Sequence, residues 1–259
     1  TILIMKRIIL ALVVLLSVQF ANAQVKPVAA AKKAVESAEA ASQDPKKATK
    51  VATWLKLAKA YVDAYNSPKG NASNLVGMGV TTQEVMLTLA GEKPLKEEKV
   101  DLSGEPCLKQ VFETREYIYN KNGQFFAINV TKPIFADPLA EALKAYAKAY
   151  EVDVKQSKLK DINEGIANIA KEYFEDAITA YSLGDNAAAS ALFAKAGEAS
   201  ATAPYSNLNG EAFYNAGFTA LAENAKKALS KIRINCNNKD FNVSGIFPPK
   251  KFKCFCEKV

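Results

Sequence analysis

Carboxylates are the side chains that could carry acid–base chemistry in this sequence, because its 259 residues include no histidine. Histidine is the commonest general base near neutral pH and the commonest metal ligand. Its absence excludes Ser/His/Asp and Cys/His catalytic machinery. Glu172, Glu175 and Asp176 lie close together in one segment, and Glu97 and Glu98 are adjacent. Such carboxylates could act as acid and base only if the fold placed two of them across a cleft.

Solvated surfaces are the simpler interpretation of both groups of carboxylates. The first group falls on a helical pattern, and the second lies in a charged stretch that we expect to be a loop. No glycine-rich phosphate loop is present, since the VGMGV of residues 76–80 follows no strand and precedes no lysine. The residue types that carry chemistry therefore predict no enzyme and no cofactor.

The four cysteines do not form a pattern typical of a zinc site or of a disulfide framework. Cys107 is alone in the body of the chain, whereas Cys236, Cys254 and Cys256 lie near its end. The CFC spacing is wrong for a zinc knuckle, and no histidine could complete one. We expect neither a bound metal nor disulfide bonds.

The beginning of the chain resembles a secretory signal. Residues 1–4 precede the first methionine, and residues 5–23, MKRIILALVVLLSVQFANA, have a basic start, a short apolar run and a small-x-small end. The apolar run is shorter than the ~20 residues that span a bilayer, which argues against a membrane anchor. We therefore predict export to the periplasm of a Gram-negative bacterium and removal of this segment.

The end of the chain changes in composition. Residues 232–259 are rich in Asn, Lys, Phe and Cys, and they are either a genuine tail or the product of a damaged gene end. Six basic residues face two acidic ones there, and Lys6 and Arg7 add to them, so these two segments carry most of the formal net charge of +7. The rest of the chain is nearly neutral, and we expect no nucleic-acid partner.

Bulky and small residues share a helical register in ATWLKLAKAYVDAY. Trp54, Leu57, Ala58 and Tyr61 fall on one stripe of a helix with 3.6 residues per turn, and the small residue allows a neighbouring helix to approach closely. Residues 137–153 offer a complementary helix with two small residues and an aromatic one at fixed offsets. Its three members are Ala142, Tyr146 and Ala149.

Residues 170–204 carry both halves of this pattern in one stretch. Tyr173 and Ala177 occupy the bulky and small positions of a first helix, and Gly184 and Asp185 provide the turn after it. The three positions of the second helix hold Ala189, Phe193 and Ala196. A further unit follows, and its second helix is cut short by the end segment. Its first helix carries Phe213, Ala216, Gly217 and Ala220.

These units resemble tetratricopeptide repeats (TPRs), helical hairpins of about 34 residues that stack into a curved solenoid. The resemblance covers residues 51–66 and 137–231 and implies an all-α superhelix with an insertion at residues 67–136. Residues 24–43 are expected to form an exposed helix or a helical linker ahead of the first repeat. The sequence is most similar to exported bacterial TPR proteins with an insertion in the first repeat.

The insertion is expected to contain a short helix and a β-hairpin. Thr81 and Glu84 suit a capping box ahead of VMLTLAG. Two β-rich runs, QVFETREYIY and QFFAINV, flank Asn122 and Gly123, a pair that favours a hairpin turn. A two-stranded hairpin is marginal in isolation, so we expect one of its faces to lie on the helices.

The resemblance also implies where a partner would bind. In TPR domains the first helix of each repeat lines a concave groove, and a partner lies against fixed positions of these helices. The corresponding positions in this sequence predict a partner-binding groove formed by Leu55, Lys59, Asp63, Lys171, Phe174, Ile178, Tyr181, Tyr214 and Phe218. The competing interpretation is that the aromatic members of this set are core residues.

The sequence therefore predicts an exported scaffold that binds a protein or peptide partner reversibly on its concave surface. Two alternatives are an accessory to an envelope enzyme and a structural component of an outer-membrane-associated complex. A pair of buried carboxylates facing one cleft would favour the first alternative. Concentration-dependent self-association would favour the second.

Overall fold

The computed structural model describes residues 25–71, 83–102, 104–207 and 210–237. In it the chain forms an array of packed helices and a four-stranded antiparallel sheet, joined at the 3-10 turn Ser67–Lys69. The expectation of an all-α TPR-like solenoid with a small β-hairpin is therefore wrong, and the fold is mixed α/β. The predicted signal peptide and the CFC segment lie outside the described residues.

Most of the described helices belong to the array. In chain order the helices are α1 (Val28–Gln43), α2 (Pro45–Ala48), α3 (Val51–Asn66), α4 (Gln83–Ala90), α5 (Pro138–Val152), α6 (Leu159–Ser182), α7 (Asn186–Ala201) and α8 (Gly210–Asn237). Helix α3 packs between α1 and α5, and α7 packs between α6 and α8, whereas α4 lies in the sheet region. None of the described helices combines the length and apolar character needed to cross a bilayer.

Aspartate caps define where three helices of the array begin. Asp44 accepts a hydrogen bond from the backbone N–H of Lys46 at 2.8 Å. Asp137 and Asp185 do the same for α5 and α7, at 3.1 and 2.9 Å. These side chains satisfy backbone donors that have no partner inside the helix. Gly184, with φ +82°, follows the end of α6 and allows the tight turn into α7.

Helix α1 is part of the core rather than an exposed linker. Ala31, Val35 and Ala38 are buried in the largest apolar cluster of the array, which α1 shares with α3. Tyr61 of α3 donates a hydrogen bond to Glu39 of α1. The burial of this face could not be predicted from the sequence, because alanine forms helices at exposed and buried positions alike.

Helix α8 is one continuous helix, where the sequence predicted a first helix followed by a truncated second one. It also continues to Asn237, past the expected start of the tail at residue 232. After Gly217 the sequence of α8 contains no glycine or proline, so nothing in it interrupts the helix.

The sheet consists of β1 (Lys96–Leu102), β2 (Glu105–Val111), β3 (Arg115–Tyr119) and β4 (Phe125–Val130), paired in that order. The predicted hairpin corresponds to β3 and β4. Gly123 in its turn has φ +73°, a backbone conformation that L-residues with side chains rarely adopt. Asn120 closes the turn by accepting hydrogen bonds from the backbone N–H groups of Asn122 and Gln124.

Two strands of the sheet were missed, and Glu97 and Glu98 lie in one of them rather than in a loop. Strand β1, KEEKVDL, has only two apolar residues, Val100 and Leu102, which pack against the cluster around Cys107 and are too few to mark a strand in the sequence. Its Glu98 pairs with Lys109 of β2 at 2.8 Å, and the same lysine lies 3.2 Å from Glu116 of β3. These lysine contacts, above all the hydrogen bond from Lys109, lower the pKa of Glu98 to about 2.

Both faces of the sheet are covered near its centre. On one face lies an aromatic core against α4, composed of Met86, Phe112, Tyr117, Tyr119, Phe125 and Ile128. The other face holds Cys107, Ile118 and Ala127 and contacts Leu183 at the end of α6. The predicted capping residue Thr81 lies outside the described residues, and α4 begins at Gln83.

The sheet is attached to the array through the 3-10 turn. Thr114 donates a hydrogen bond to the backbone carbonyl of Pro68 at 2.9 Å, and Tyr117 donates one to that of Lys69 at 3.1 Å. Arg115, which is buried, lies directly against Gly70 and donates to the Tyr117 hydroxyl at 2.8 Å. The sheet is therefore attached to the array at the 3-10 turn that follows α3.

Candidate protein-binding surface and the cavity beside it

The residues predicted to pack one helix against the next lie inside the array, with one exception. The buried members are Leu57, Ala58, Tyr61, Ala142, Ala149, Ala177, Ala189, Phe193 and Ala196, and the half-buried members packed against the same core are Trp54 and Tyr146. Gly217 is the exception. It is exposed, and a β-carbon added to it would meet nothing within 4 Å. No adjoining helix covers this glycine in the part of the chain that the structure describes.

The groove positions of α3 do not form an open apolar surface. Leu55 is half-buried and packs against buried isoleucines of α6. Asp63 is paired with Lys26, with the lysine nitrogen 2.7 Å from its carboxylate, and with Lys59 at 3.6 Å. Lys26 precedes α1, so the segment that leads into that helix partly covers this side of α3.

The groove positions of α6 divide into packed and exposed residues. Lys171 is exposed and paired with Glu175 at 3.4 Å. Phe174 is half-buried, with its ring 5.1 Å from that of Phe193, so it belongs to the core as the competing interpretation holds. Ile178, which is 47% exposed, lies on the outside of the same helix.

Exposed apolar side chains concentrate on two helices. Nine large apolar residues are exposed in the described part of the chain, and six of them lie on the second half of α6 and the first half of α8. We call this set the α6–α8 surface; it consists of Ile178, Tyr181, Phe213, Tyr214, Phe218 and Leu221. Isolated exposed apolar residues are normal on proteins, but a concentration of this kind marks an interaction site.

Helix α7 brings the two parts of this surface together. Ala177 of α6 and Ala216 of α8 pack in one apolar cluster with Phe193 of α7. Ile178 directly follows the first of these alanines on α6. Phe218 lies two residues after the second, about 200° round α8, so it points away from the contact with α7. The two helices that carry the exposed residues therefore share a buried contact through α7, and the exposed residues lie outside that contact.

A cavity between the sheet and the array was not predicted from the sequence. Its volume is about 350 Å³, within the range of small-ligand pockets. Its walls are largely apolar and include Ala64, Ile134, Phe135, Leu139, Ala180 and Leu192. Ile134 and Phe135 belong to the connection between β4 and α5, which closes one side of the cavity.

A buried lysine forms the polar group at one end of the cavity. Lys69 lies 3.0 Å from the carboxylate of Asp176 and 3.6 Å from that of Glu172. The Tyr65 hydroxyl accepts a hydrogen bond from Lys69 and donates one to Asp176 at 2.7 Å. Burial, together with the charge of Asp176, raises the pKa of Tyr65, so its hydroxyl stays protonated at physiological pH.

Asp137 forms the polar group at the other end. Its carboxylate accepts hydrogen bonds from Tyr173 at 2.6 Å and from Lys195 at 2.7 Å, besides capping α5. Burial alone would raise the pKa of Asp137, but the hydrogen bonds from Lys195 and Tyr173 hold it below its ordinary value. Asp137 is therefore ionised at neutral pH.

These polar contacts join elements of the fold. Two of the candidate acid–base residues, Glu172 and Asp176, are paired with Lys69, and Asp137 is held in its charged form. Among the described residues, no group of acidic side chains and cysteines could hold a metal ion. Cys107 is buried, and burial raises its pKa, which keeps it in the unreactive thiol form. What the cavity can accept is a small apolar group.

Sequence reasoning had no signal for this cavity. Lys69 and Asp176 are separated by 107 positions, so no local pattern relates them. The only indication was the Asp-Pro pair at residues 137–138, which predicted the start of α5 and not the contacts of its cap.

No family model matches the chain, and no curated protein or solved structure matches it significantly.

Proposed function

We propose that the chain is an exported protein of the periplasm that binds a protein or peptide partner on the α6–α8 surface, as the resemblance of its helical hairpins to TPRs implies. The observation that carries the proposal is the concentration of exposed apolar side chains on α6 and α8. Tyr214 is 71% exposed, Phe218 50% and Tyr181 46%. Leaving these side chains in water forgoes the free energy that their burial in an interface would release.

The chemistry of the surface selects the kind of partner. Aromatic residues are enriched among the residues that dominate binding energy, because they bury large areas with few rotatable bonds. The nearest groove charge, Lys171, is already paired with Glu175. A partner segment would therefore be held chiefly by apolar anchors between these rings, with little contribution from charge.

Peptide selection from a displayed library, with the purified chain as bait, tests this proposal. We expect the selected peptides to share apolar anchors. The Tyr181→Ala variant should bind them at least about tenfold more weakly than wild type, a loss of about 1.4 kcal/mol in binding free energy. The control is Val154→Ala, at a residue that is 89% exposed between α5 and α6 and outside the surface. Calorimetric titration gives the affinities, and circular dichroism checks that each variant is folded.

Equal affinity for wild type and for Tyr181→Ala would contradict the proposal, and so would peptides without apolar anchors. If Val154→Ala weakened binding as much as Tyr181→Ala, the peptides would be bound elsewhere and the α6–α8 surface would not be the site.

A further inference from the structure

Helix α8 is apolar on two opposite sides. Ala212 and Thr219 are buried on the side that packs against α7. On the other side, Tyr214, Phe218 and Leu221 follow each other at offsets of four and three residues, so they form one stripe. A helix that is apolar on both sides is typical of one with a neighbour on each.

The two ends of the array differ in this respect. At the first end, α1 covers α3 with Ala31, Val35 and Ala38. At the last end, α8 packs on α7, and its outer stripe has no covering element among the described residues. Gly217 lies at the edge of that stripe, with open space where a β-carbon would be, so a second helix could approach the backbone closely there.

The outer stripe is complementary to itself. When two α8 helices lie antiparallel with a two-fold axis at the level of Thr219 and Ala220, Tyr214 of one copy faces the small Ala225 of the other. In the same register Phe218 faces Leu221, and the arrangement repeats on the far side of the axis. A two-fold interface requires one patch that fits its own copy, and in this register a large residue faces a small one at each end of the stripe while two apolar residues meet on each side of the axis.

We propose that two copies of this chain associate through an antiparallel pair of α8 helices. The inference rests on the proposed function, since it names a second copy as the partner at the α8 part of the α6–α8 surface. Ile178 and Tyr181 of α6 lie outside the paired stripe. They remain accessible to another partner in the dimer.

The size of the stripe sets the expected affinity. Given the exposed fractions of Tyr214, Phe218 and Leu221, and ~150–250 Å² for an aromatic side chain, these residues expose roughly 400 Å² per chain. A stable interface buries about 800 Å² per partner, and weaker transient ones bury less. The dimer is therefore weak and reversible, with a dissociation constant on the order of micromolar.

Sedimentation equilibrium on the full chain over about 1 to 500 μM tests this inference. We expect a concentration-dependent monomer–dimer equilibrium for wild type. Phe218→Glu and Leu221→Lys should each weaken the dimer at least about tenfold, because each places a charge against an apolar residue of the other copy. Val154→Lys is the control, at a still more exposed apolar residue outside the stripe, and should dimerise like wild type.

Mixing the two charged variants tests the register itself. In the antiparallel pair, the glutamate at 218 of one chain faces the lysine at 221 of the other, while the second Phe218–Leu221 contact stays native. An equimolar mixture of Phe218→Glu and Leu221→Lys should therefore recover dimers that neither variant forms alone. Because both positions are exposed in the monomer, we expect both variants to keep the circular dichroism and melting temperature of wild type.

Two results would overturn the inference: a wild-type chain that is monomeric over the whole range, or a mixture of the charged variants that stays monomeric. A monomeric chain that still binds selected peptides in a Tyr181-dependent manner would overturn self-association alone and leave the proposed function standing. Loss of Tyr181-dependent peptide binding would instead remove the proposed function, whatever the oligomeric state.

Discussion

The helical array and the sheet region bury apolar surface in different ways. In the array, helices approach closely at small residues: Tyr146 of α5 lies on Gly165 of α6, where a β-carbon would be 2.1 Å from the tyrosine ring. In the sheet region, rings pack on rings, with Phe125 at 5.4 Å from Tyr117 and 5.7 Å from Tyr119 between centroids. The array thus depends on the absence of side-chain atoms at a few positions, and the sheet on the presence of a few large side chains.

The largest expected effect is the truncation of a ring in the sheet core. Phe125→Ala removes a side chain that is 2% exposed and contacts two buried tyrosines, so it leaves a cavity that the paired strands cannot close. We expect it to lower the free energy of unfolding by about 3–5 kcal/mol. Urea denaturation followed by tyrosine fluorescence and circular dichroism gives the value.

Tyr214→Ala is the control for this truncation, because it removes an aromatic ring that is 71% exposed in the array. Its expected cost is within about 0.5 kcal/mol. A loss of less than about 1 kcal/mol for Phe125→Ala would show that the sheet does not depend on its rings, and the contrast between the two regions would be lost.

The next effect is the addition of a single methyl group in the array. Gly165→Ala places a β-carbon inside the contact distance of the Tyr146 ring, which packs against two apolar clusters and must leave some of its contacts to make room. Overpacking of this kind costs about 1–3 kcal/mol, which outweighs the gain in helix propensity. We expect a net loss of about 1–2 kcal/mol in thermal or urea unfolding.

Gly217→Ala is the matched control, since Gly217 is also helical but has open space around its α-carbon. There only the helix-propensity gain remains, and we expect stabilisation by about 0.5–1 kcal/mol. In a Tyr146→Leu background, Gly165→Ala should lower the free energy of unfolding by less than it does in wild type, if the tyrosine ring is the obstacle. Equal effects of alanine at both glycines would show that close approach does not distinguish Gly165.

The same contrast explains how far the sequence predicts the fold. A period of 3.6 residues is a local signal, so the stripe of Trp54, Leu57, Ala58 and Tyr61 is enough to locate a helix such as α3. The β3–β4 hairpin carries a local signal as well, in Asn122 and Gly123. Helices and tight hairpins can therefore be located without knowing what packs against them.

The missed elements depend on contacts between distant residues. Strand β1 has charges on both of its sides, and it is a strand because Glu98 and its neighbours pair with β2. Glycine at 217 followed the repeat pattern, but its side of α8 is open because α8 continues where a second helix was expected. Position in a pattern predicts which face a residue lies on, and it does not predict whether that face is covered.

The smallest of these effects is expected at Asp137, where the connection from the sheet enters the array, and it depends on pH. Asp137 follows the segment leading from β4 and binds Tyr173 and Lys195 in its ionised form. Because its pKa is lower in the folded chain than the ordinary value of about 3.9, its contribution is complete above that value. This contribution to stability decreases as the pH falls below the ordinary pKa, and it is lost once the pH is below the lower pKa that Asp137 has in the folded chain.

Asp137→Asn keeps an oxygen that can cap α5 but removes the charge. We expect it to cost about 1 kcal/mol at pH 7 and to flatten the loss of stability in acid, as measured by urea unfolding from pH 7 down to about pH 2.5. Asp185→Asn is the control, a cap on α7 that should change the acid profile less, because no lysine contact to Asp185 is seen in the described residues. A variant at 137 with the same acid profile as wild type would show that the Lys195 contact does not contribute to joining the start of α5 to α7.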